Sequence, residues 1–424
     1  LTASGQIDVQ KGVLIDISGG SVDTAAGSIE TSYLKSQTGQ IVEISDANPD
    51  DRYVGITKQK YFEQAYTEGK DAGRLAIKTS DLQWQGTLDA SVINGRKQRS
   101  LDTMARGGTF SIDMAVFNAT QNIAFNNGDA FSRLALSGLQ DLSLKTWGDV
   151  SIAQDVALAF KPLSNITIEA GSINIKGDVY SAGGKLNFAA KRNKALNTSG
   201  ELLLEKGAVL DVSGRWVNDL LTENQGVNPT EALVIDGGEV VLSAQGDLIT
   251  EQGSAILANG GARLTEDEEL IAGKGGDISL QAVGLSATPS LLYLGAKLSA
   301  QALHDNGRLT LTSNKFVISD HNKTDADSKT NYIDANHALF SEFSSISLNA
   351  AFDSIELQGK ADINLTQSNR QFLHGSSNRA SARSLDSISF MGTLPQVLRQ
   401  TASKLNLTAK KNITMAYGSS IFSE

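Results

Sequence analysis

The chain has 424 residues with 40 glycines, 5 prolines, no cysteine and a net charge of −10. The missing cysteines exclude a disulfide scaffold and any thiolate metal site. The scarcity of proline argues against a disordered stalk, the acidic balance argues against nucleic acid as a partner, and no apolar run approaches the ~20 residues of a membrane-spanning helix.

Strand character begins with the first residues. Ile7 and Val9 flank Asp8, so two apolar side chains point to one face. A second strand follows in Gly12-Val13-Leu14-Ile15-Asp16-Ile17-Ser18-Gly19, and a third in Gly73-Arg74-Leu75-Ala76-Ile77. These three strands and their small-residue corners make a cassette that spans residues 5–79 and returns at 81–114, 171–190, 200–244, 246–282 and 291–313. The cleanest copy, 171–190, holds Ile173-Asn174-Ile175, then Asp178-Val179-Tyr180, then Gly184-Lys185-Leu186-Asn187-Phe188. The third strand recurs as Gly108-Thr109-Phe110, Gly238-Glu239-Val240, Gly276-Asp277-Ile278 and Gly307-Arg308-Leu309. Beyond 340 the pattern loosens but persists in Ile346-Ser347-Leu348, Ile355-Glu356-Leu357, Ile363-Asn364-Leu365, Leu405-Asn406-Leu407 and Ile413-Thr414-Met415. The final residues, Tyr417 to Phe422, also lie in mid-pattern, and the chain reads as an interior piece of a longer polypeptide.

Units of this kind bury their apolar face only against their neighbours. The predicted fold is therefore all-β, a right-handed parallel β-helix with three strands per coil, continuous over 1–424. A sandwich would need regular antiparallel hairpins instead. The junction between second and third strands varies in length, and insertions are expected at that one corner, at about 20–72, 94–107, 214–237, 261–275, 319–342 and 367–402. Such insertions gather on one face of a solenoid, often the binding face. Inward Asn, Ser and Thr are expected to stack in hydrogen-bonded ladders.

The candidate contact residues are the insertion aromatics Tyr53, Tyr61 and Tyr66, with Phe62 beside them, and Trp216 in a later insertion. Exposed aromatics offer stacking surfaces to sugars or proteins, or they staple an insertion to the coil. Arg96-Lys97-Gln98-Arg99 is a basic cluster suited to an acidic sugar or lipid. Asp46, Asp50 and Asp51 surround Pro49 in an ordinary turn sequence. The run from Asp320 to Asp327 lacks the glycine a calcium loop needs and contains Lys323. His304, His321, His337 and His374 have no nucleophile or acid at an informative spacing. No cofactor, metal or catalytic residue is assigned.

Asp16-Ile17-Ser18-Gly19-Gly20-Ser21-Val22-Asp23-Thr24-Ala25-Ala26-Gly27-Ser28-Ile29 resembles the filamentous-haemagglutinin family of secreted exoproteins from Gram-negative bacteria. Glu68-Gly69-Lys70-Asp71-Ala72-Gly73-Arg74-Leu75, Arg106-Gly107-Gly108-Thr109 and the run from Gly207 to Gly214 carry the same resemblance. It implies secretion through a partner outer-membrane transporter and a fibre used in adhesion, in biofilms or as a toxin stalk. The partners so implied are the transporter, a host receptor, polysaccharide or neighbouring cell, and further coils of the same chain at both ends. The family's secretion domain carries Asn-Pro-Asn, whereas here Asn48-Pro49-Asp50 and Asn228-Pro229-Thr230 stand, which places the chain in the central or late fibre. The rival class is a polysaccharide-degrading enzyme, which needs carboxylates on consecutive coils. The outward residues after the corner glycines, Arg74, Thr109, Lys185, Glu239, Asp277 and Arg308, have mixed signs instead.

Overall fold

A computed structural model describes residues 1–219, 231–265, 269–284, 289–320, 330–372, 388–390 and 403–423. It is all-β, built on parallel sheets of eleven, six and five strands. The chain visits the three sheets in rotation. Asp149–Ile152 lies in the six-stranded sheet, Ala157–Ala159 in the five-stranded sheet and Asn165–Ala170 in the eleven-stranded sheet. Ser172–Ile175, Asp178–Tyr180 and Lys185–Ala190 repeat that circuit, as do Leu202–Leu204, Val209–Asp211 and Glu239–Ala244. Two more circuits run to Asp277–Ala282 and Arg308–Ser313. This order is consistent with a solenoid.

Apolar rows hold the stack together. In the long sheet Phe110, Leu142, Ile166, Leu186, Val240, Ile278, Leu309 and Ile346 pair in register, and all are buried. Ile112, Leu144, Ile168, Phe188, Leu242, Leu280, Leu311 and Leu348 form a second buried row two residues on. The other two sheets contribute Ile173, Leu202 and Leu248, and Val179, Leu210 and Ile256. At roughly 1.5–3 kcal/mol for each fully buried large aliphatic, these rows dominate the stability of the body. The interior is mainly apolar but also holds buried polar pairs: Ser299 donates to Asn259 Oδ1 at 2.8 Å, and Asn331 Nδ2 donates to Ser313 Oγ at 2.9 Å. Further pairs bridge neighbouring strands on the outer surface of the long sheet, Asn349 with Thr312 and Asn406 with Ser347.

The aligned third strands pair in the register read from the sequence: Arg74 with Thr109, Lys185 with Glu239, Glu239 with Asp277, and Asp277 with Arg308. The corner glycines have a packing reason. A Cβ on Gly238 would overlap the Gly184 carbonyl, and one on Gly276 would overlap that of Gly238. The preceding circuit has Ser164 at the position of Gly184, and before it Leu163, whose φ of 62° matches the 62° of Gly183 one unit later.

The longest excursions leave between the second and third strands, at 20–72, 90–107, 212–238 and 258–276, in agreement with the expected corner. Others leave elsewhere. The hairpin of Arg192–Asn193 with Thr198–Ser199 joins the long sheet to the six-stranded one. After Phe316–Ser319 the chain forms Asn331–Asp334 in the same parallel sheet and then the short helix Leu339–Glu342. The expectation of one insertion corner is corrected accordingly, because a solenoid tolerates an excursion wherever its ends rejoin adjacent strands. The 367–402 insertion lies mostly outside the described residues.

Candidate functional site

The insertions pack on one another. Residues 20–72 begin and end in an antiparallel pair, Ser21–Thr24 with Tyr66–Gly69, from which a three-stranded antiparallel sheet projects. Gln98 joins the next insertion to this base. Its Oε1 accepts from the Gly69 and Gly95 amides at 2.7 and 3.1 Å, and its Nε2 donates to the Gly69 carbonyl at 2.9 Å. A buried side-chain amide thereby satisfies backbone groups as a neighbouring strand would. Arg99 reaches further. It donates to Asp219 at 2.7 Å and to the Glu231 carbonyl at 2.9 Å, and its own carbonyl accepts from the Leu233 amide at 2.8 Å. Arg263, on the hairpin of Ala262–Leu264 with Leu270–Ala272, donates to the other Asp219 oxygen at 2.6 Å. Burial raises the Asp219 carboxyl, but the two guanidinium groups outweigh it and hold the acid below its ordinary value.

The basic cluster is therefore corrected as a contact for an external acid. Arg96 lies 3.6 Å and Lys97 2.6 Å from Glu63, and Arg99 is spent on Asp219. The counter-charges come from two other insertions, distant in sequence.

The four aromatic candidates do not form one site. Tyr53 is half-buried and its hydroxyl donates to the Asn48 carbonyl at 3.2 Å. Tyr61 is exposed on the projecting sheet, beside Phe62. Tyr66 is half-buried at the base with the Lys97 ammonium 4.2 Å above its ring, which is the stapling role. Trp216 packs partly on Ala262 and Leu303 and partly borders a groove.

That groove, about 540 Å³, runs along the outer face of the five-stranded sheet, with Phe160, Tyr180 and Asp211 on its floor and Arg215, Trp216 and Glu231 on its wall. The Tyr180 hydroxyl donates to Asp178 Oδ2 at 2.9 Å. Burial and the Asp178 carboxylate push this phenol up to about 12. A smaller cavity of about 220 Å³ shares Arg215 and Glu231 and adds Asn94, Gln140 and Lys161. Burial alone pulls the Lys161 ammonium below the usual lysine range. Neither Lys161 nor Arg215 makes an ion pair among the described residues.

A broader trough of about 720 Å³ follows the glycine corner past Lys185, Glu239, Asp277 and Arg308. Its charges neutralise each other, Lys185 with Glu239 at 2.6 Å and Arg308 with Asp277. The sequence candidates for acid chemistry are turn-forming: Asn48 caps the Asp50 amide at 3.1 Å. His337 Nδ1 accepts from the Leu339 amide at 3.1 Å, and burial pulls this imidazole down. His321 and His374 lie outside the described residues, as does the run from 321 to 329. No group of three or more His, Asp or Glu suited to a metal gathers among the described residues.

Sequence reading missed Tyr180, Asp211, Lys161 and Arg215. Tyr180 and Asp211 are register partners at the outward position of successive second strands, so stacking the cassettes would have found them. Lys161 precedes the Leu163 corner, where the glycine signal is missing. No family model, curated protein or solved structure matches the chain.

Proposed function

We propose that the chain is a segment of right-handed parallel β-helix serving as a structural and adhesive part of a secreted bacterial surface exoprotein of the filamentous-haemagglutinin kind. The observation that carries this reading is the division of labour in the molecule. An apolar stack of parallel strands supports a separate layer of insertions that share ion pairs and, with the body, border a mixed aromatic and charged groove of about 540 Å³. A stiff body with decorated edges suits multivalent contact with a receptor, a polysaccharide or a neighbouring cell, where avidity rather than one tight site supplies strength. Export through an outer-membrane transporter belongs to the same reading and rests on the cassette resemblance.

Ile413, Met415 and Ile421 are 48, 53 and 40% exposed, whereas their register partners Ile355, Leu357 and Ile363 are buried. Bare edges of this kind are aggregation-prone unless covered. The test is incubation of the purified chain with Gram-negative and host cells and with a panel of acidic and neutral polysaccharides. Saturable binding without depolymerisation is expected. Turnover of any polymer would replace this reading with an enzymatic one.

A further inference from the structure

We infer that the two adjacent cavities that share Arg215 and Glu231 in their linings form a binding site for an acidic saccharide, with a sugar carboxylate held by Lys161 and Arg215 and a neighbouring ring laid beside Tyr180 and Trp216. The inference rests on the contact-surface reading above and names the chemistry of its partner.

Charge pairing makes this place unusual. The neighbouring cations of the insertion layer are neutralised: Arg96 and Lys97 by Glu63, Arg99 and Arg263 by Asp219. Lys161 and Arg215 border one small cavity and have no such partner among the described residues. The Lys161 stem passes close to Gly107, where a Cβ would meet its Cδ at 3.1 Å. A lysine that merely snorkels along such a surface keeps its head in water and its ordinary affinity for a proton. Burial instead depresses this ammonium, so the cavity holds a half-desolvated cation, a group that gains most from an anion entering beside it.

The walls select the kind of anion. Glu231 borders both cavities, and Asp211 and the Asp178–Tyr180 pair line or adjoin the larger one. Three carboxylates repel a densely charged ligand such as a polyphosphate or nucleic acid. They suit a chain of hydroxyls, each of which donates to a carboxylate, with charge spaced at one carboxylate per ring. Tyr180 and Trp216 supply the flat apolar surfaces on which a pyranose ring packs. The two cavities together fall in the range of small-ligand sites, about 300–1,000 Å³.

The test is calorimetric titration of the full chain with tetragalacturonate, a hyaluronan tetrasaccharide and sialyllactose, against neutral galactotetraose and inorganic sulfate. At least one carboxylated saccharide is expected to bind saturably, more tightly than the neutral sugar or sulfate. Lys161→Gln and Arg215→Gln are each expected to weaken it about tenfold, the cost of one charge-assisted hydrogen bond. Glu231→Gln is expected to hold or strengthen it. Thermal melts unchanged in the three variants show that folding is intact. Four results overturn the inference: no acidic saccharide binds; the neutral sugar binds equally; sulfate alone binds as tightly, which marks a plain anion site; or both cation variants bind as the parent does. Cell or polysaccharide binding that survives the double variant sinks this site while leaving the contact-surface reading standing. Depolymerisation sinks that reading instead.

Discussion

The stacked body and the insertion layer are held by different physics. In the body, each circuit places apolar residues two apart, and pairing in register converts them into continuous buried rows such as Ile168, Phe188 and Leu242. In the layer, discrete polar contacts join the insertions beside one strand pair and a small apolar cluster of Trp216, Ala262 and Leu303: the Gln98 amide, the Arg99–Asp219–Arg263 cluster, and the Asn369 amide that donates to Asn306 Oδ1 at 3.0 Å. The first insertion's sheet is the extreme case, with Ile56 69% and Phe62 70% exposed. Rows of aliphatic side chains are additive and forgiving. Buried ion clusters are not, because removing one partner strands the others in a poor solvent. The contact surface therefore depends on discrete polar contacts far more than the body does.

This difference can be broken at either side. Phe188→Ala removes a fully buried ring from the second row of the long sheet and is expected to cost about 3–5 kcal/mol, read as a shift of the main denaturant transition. Asp219→Ala leaves two guanidinium groups without their carboxylate and is expected to cost about 3 kcal/mol within the layer. Its readout is protease sensitivity of 90–107 and 231–235 while the main transition stays put. Acid should reproduce that phenotype. The Asp219 carboxyl sits below its ordinary 3.8 in the folded chain, so its contribution is complete above that value and is lost as pH falls through the lower, folded one. Gln98→Ala, which leaves the Gly69 amide and carbonyl unpaired, is expected to cost about 1–3 kcal/mol, again local to the base of the first insertion. Lys185→Ala breaks a half-exposed pair with Glu239 and is expected to change stability by less than about 1 kcal/mol, measured by urea denaturation.

The body was largely legible and the layer was not, for a physical reason. Alternation of period two and a glycine where backbones touch are local signals, and they placed Arg74, Lys185, Glu239, Asp277 and Arg308 in their observed register. The circuit through Asp149–Ile152, Ala157–Ala159 and Asn165–Ala170 escaped because Leu163 and Ser164 stand where the next circuit has Gly183 and Gly184. The layer depends on pairs with no local mark. Arg99 and Asp219 stand 120 residues apart, and a basic tetrapeptide looks the same whether its counter-charges lie in solvent or in another insertion. Trp216 was singled out as an aromatic, but its groove appears only when Tyr180 and Asp211 of the body are set beneath it.

Native-state hydrogen exchange, followed peptide by peptide, tests the two-tier description most directly. Amides of the long sheet, such as those in Lys185–Ala190 and Glu239–Ala244, are expected to exchange only through global unfolding. Those of 95–106 and 231–235 are expected to exchange through a smaller local opening, which Asp219→Ala accelerates without touching the first group. Equal protection in both regions, or an Asp219→Ala effect that spreads evenly through the long sheet, would contradict it.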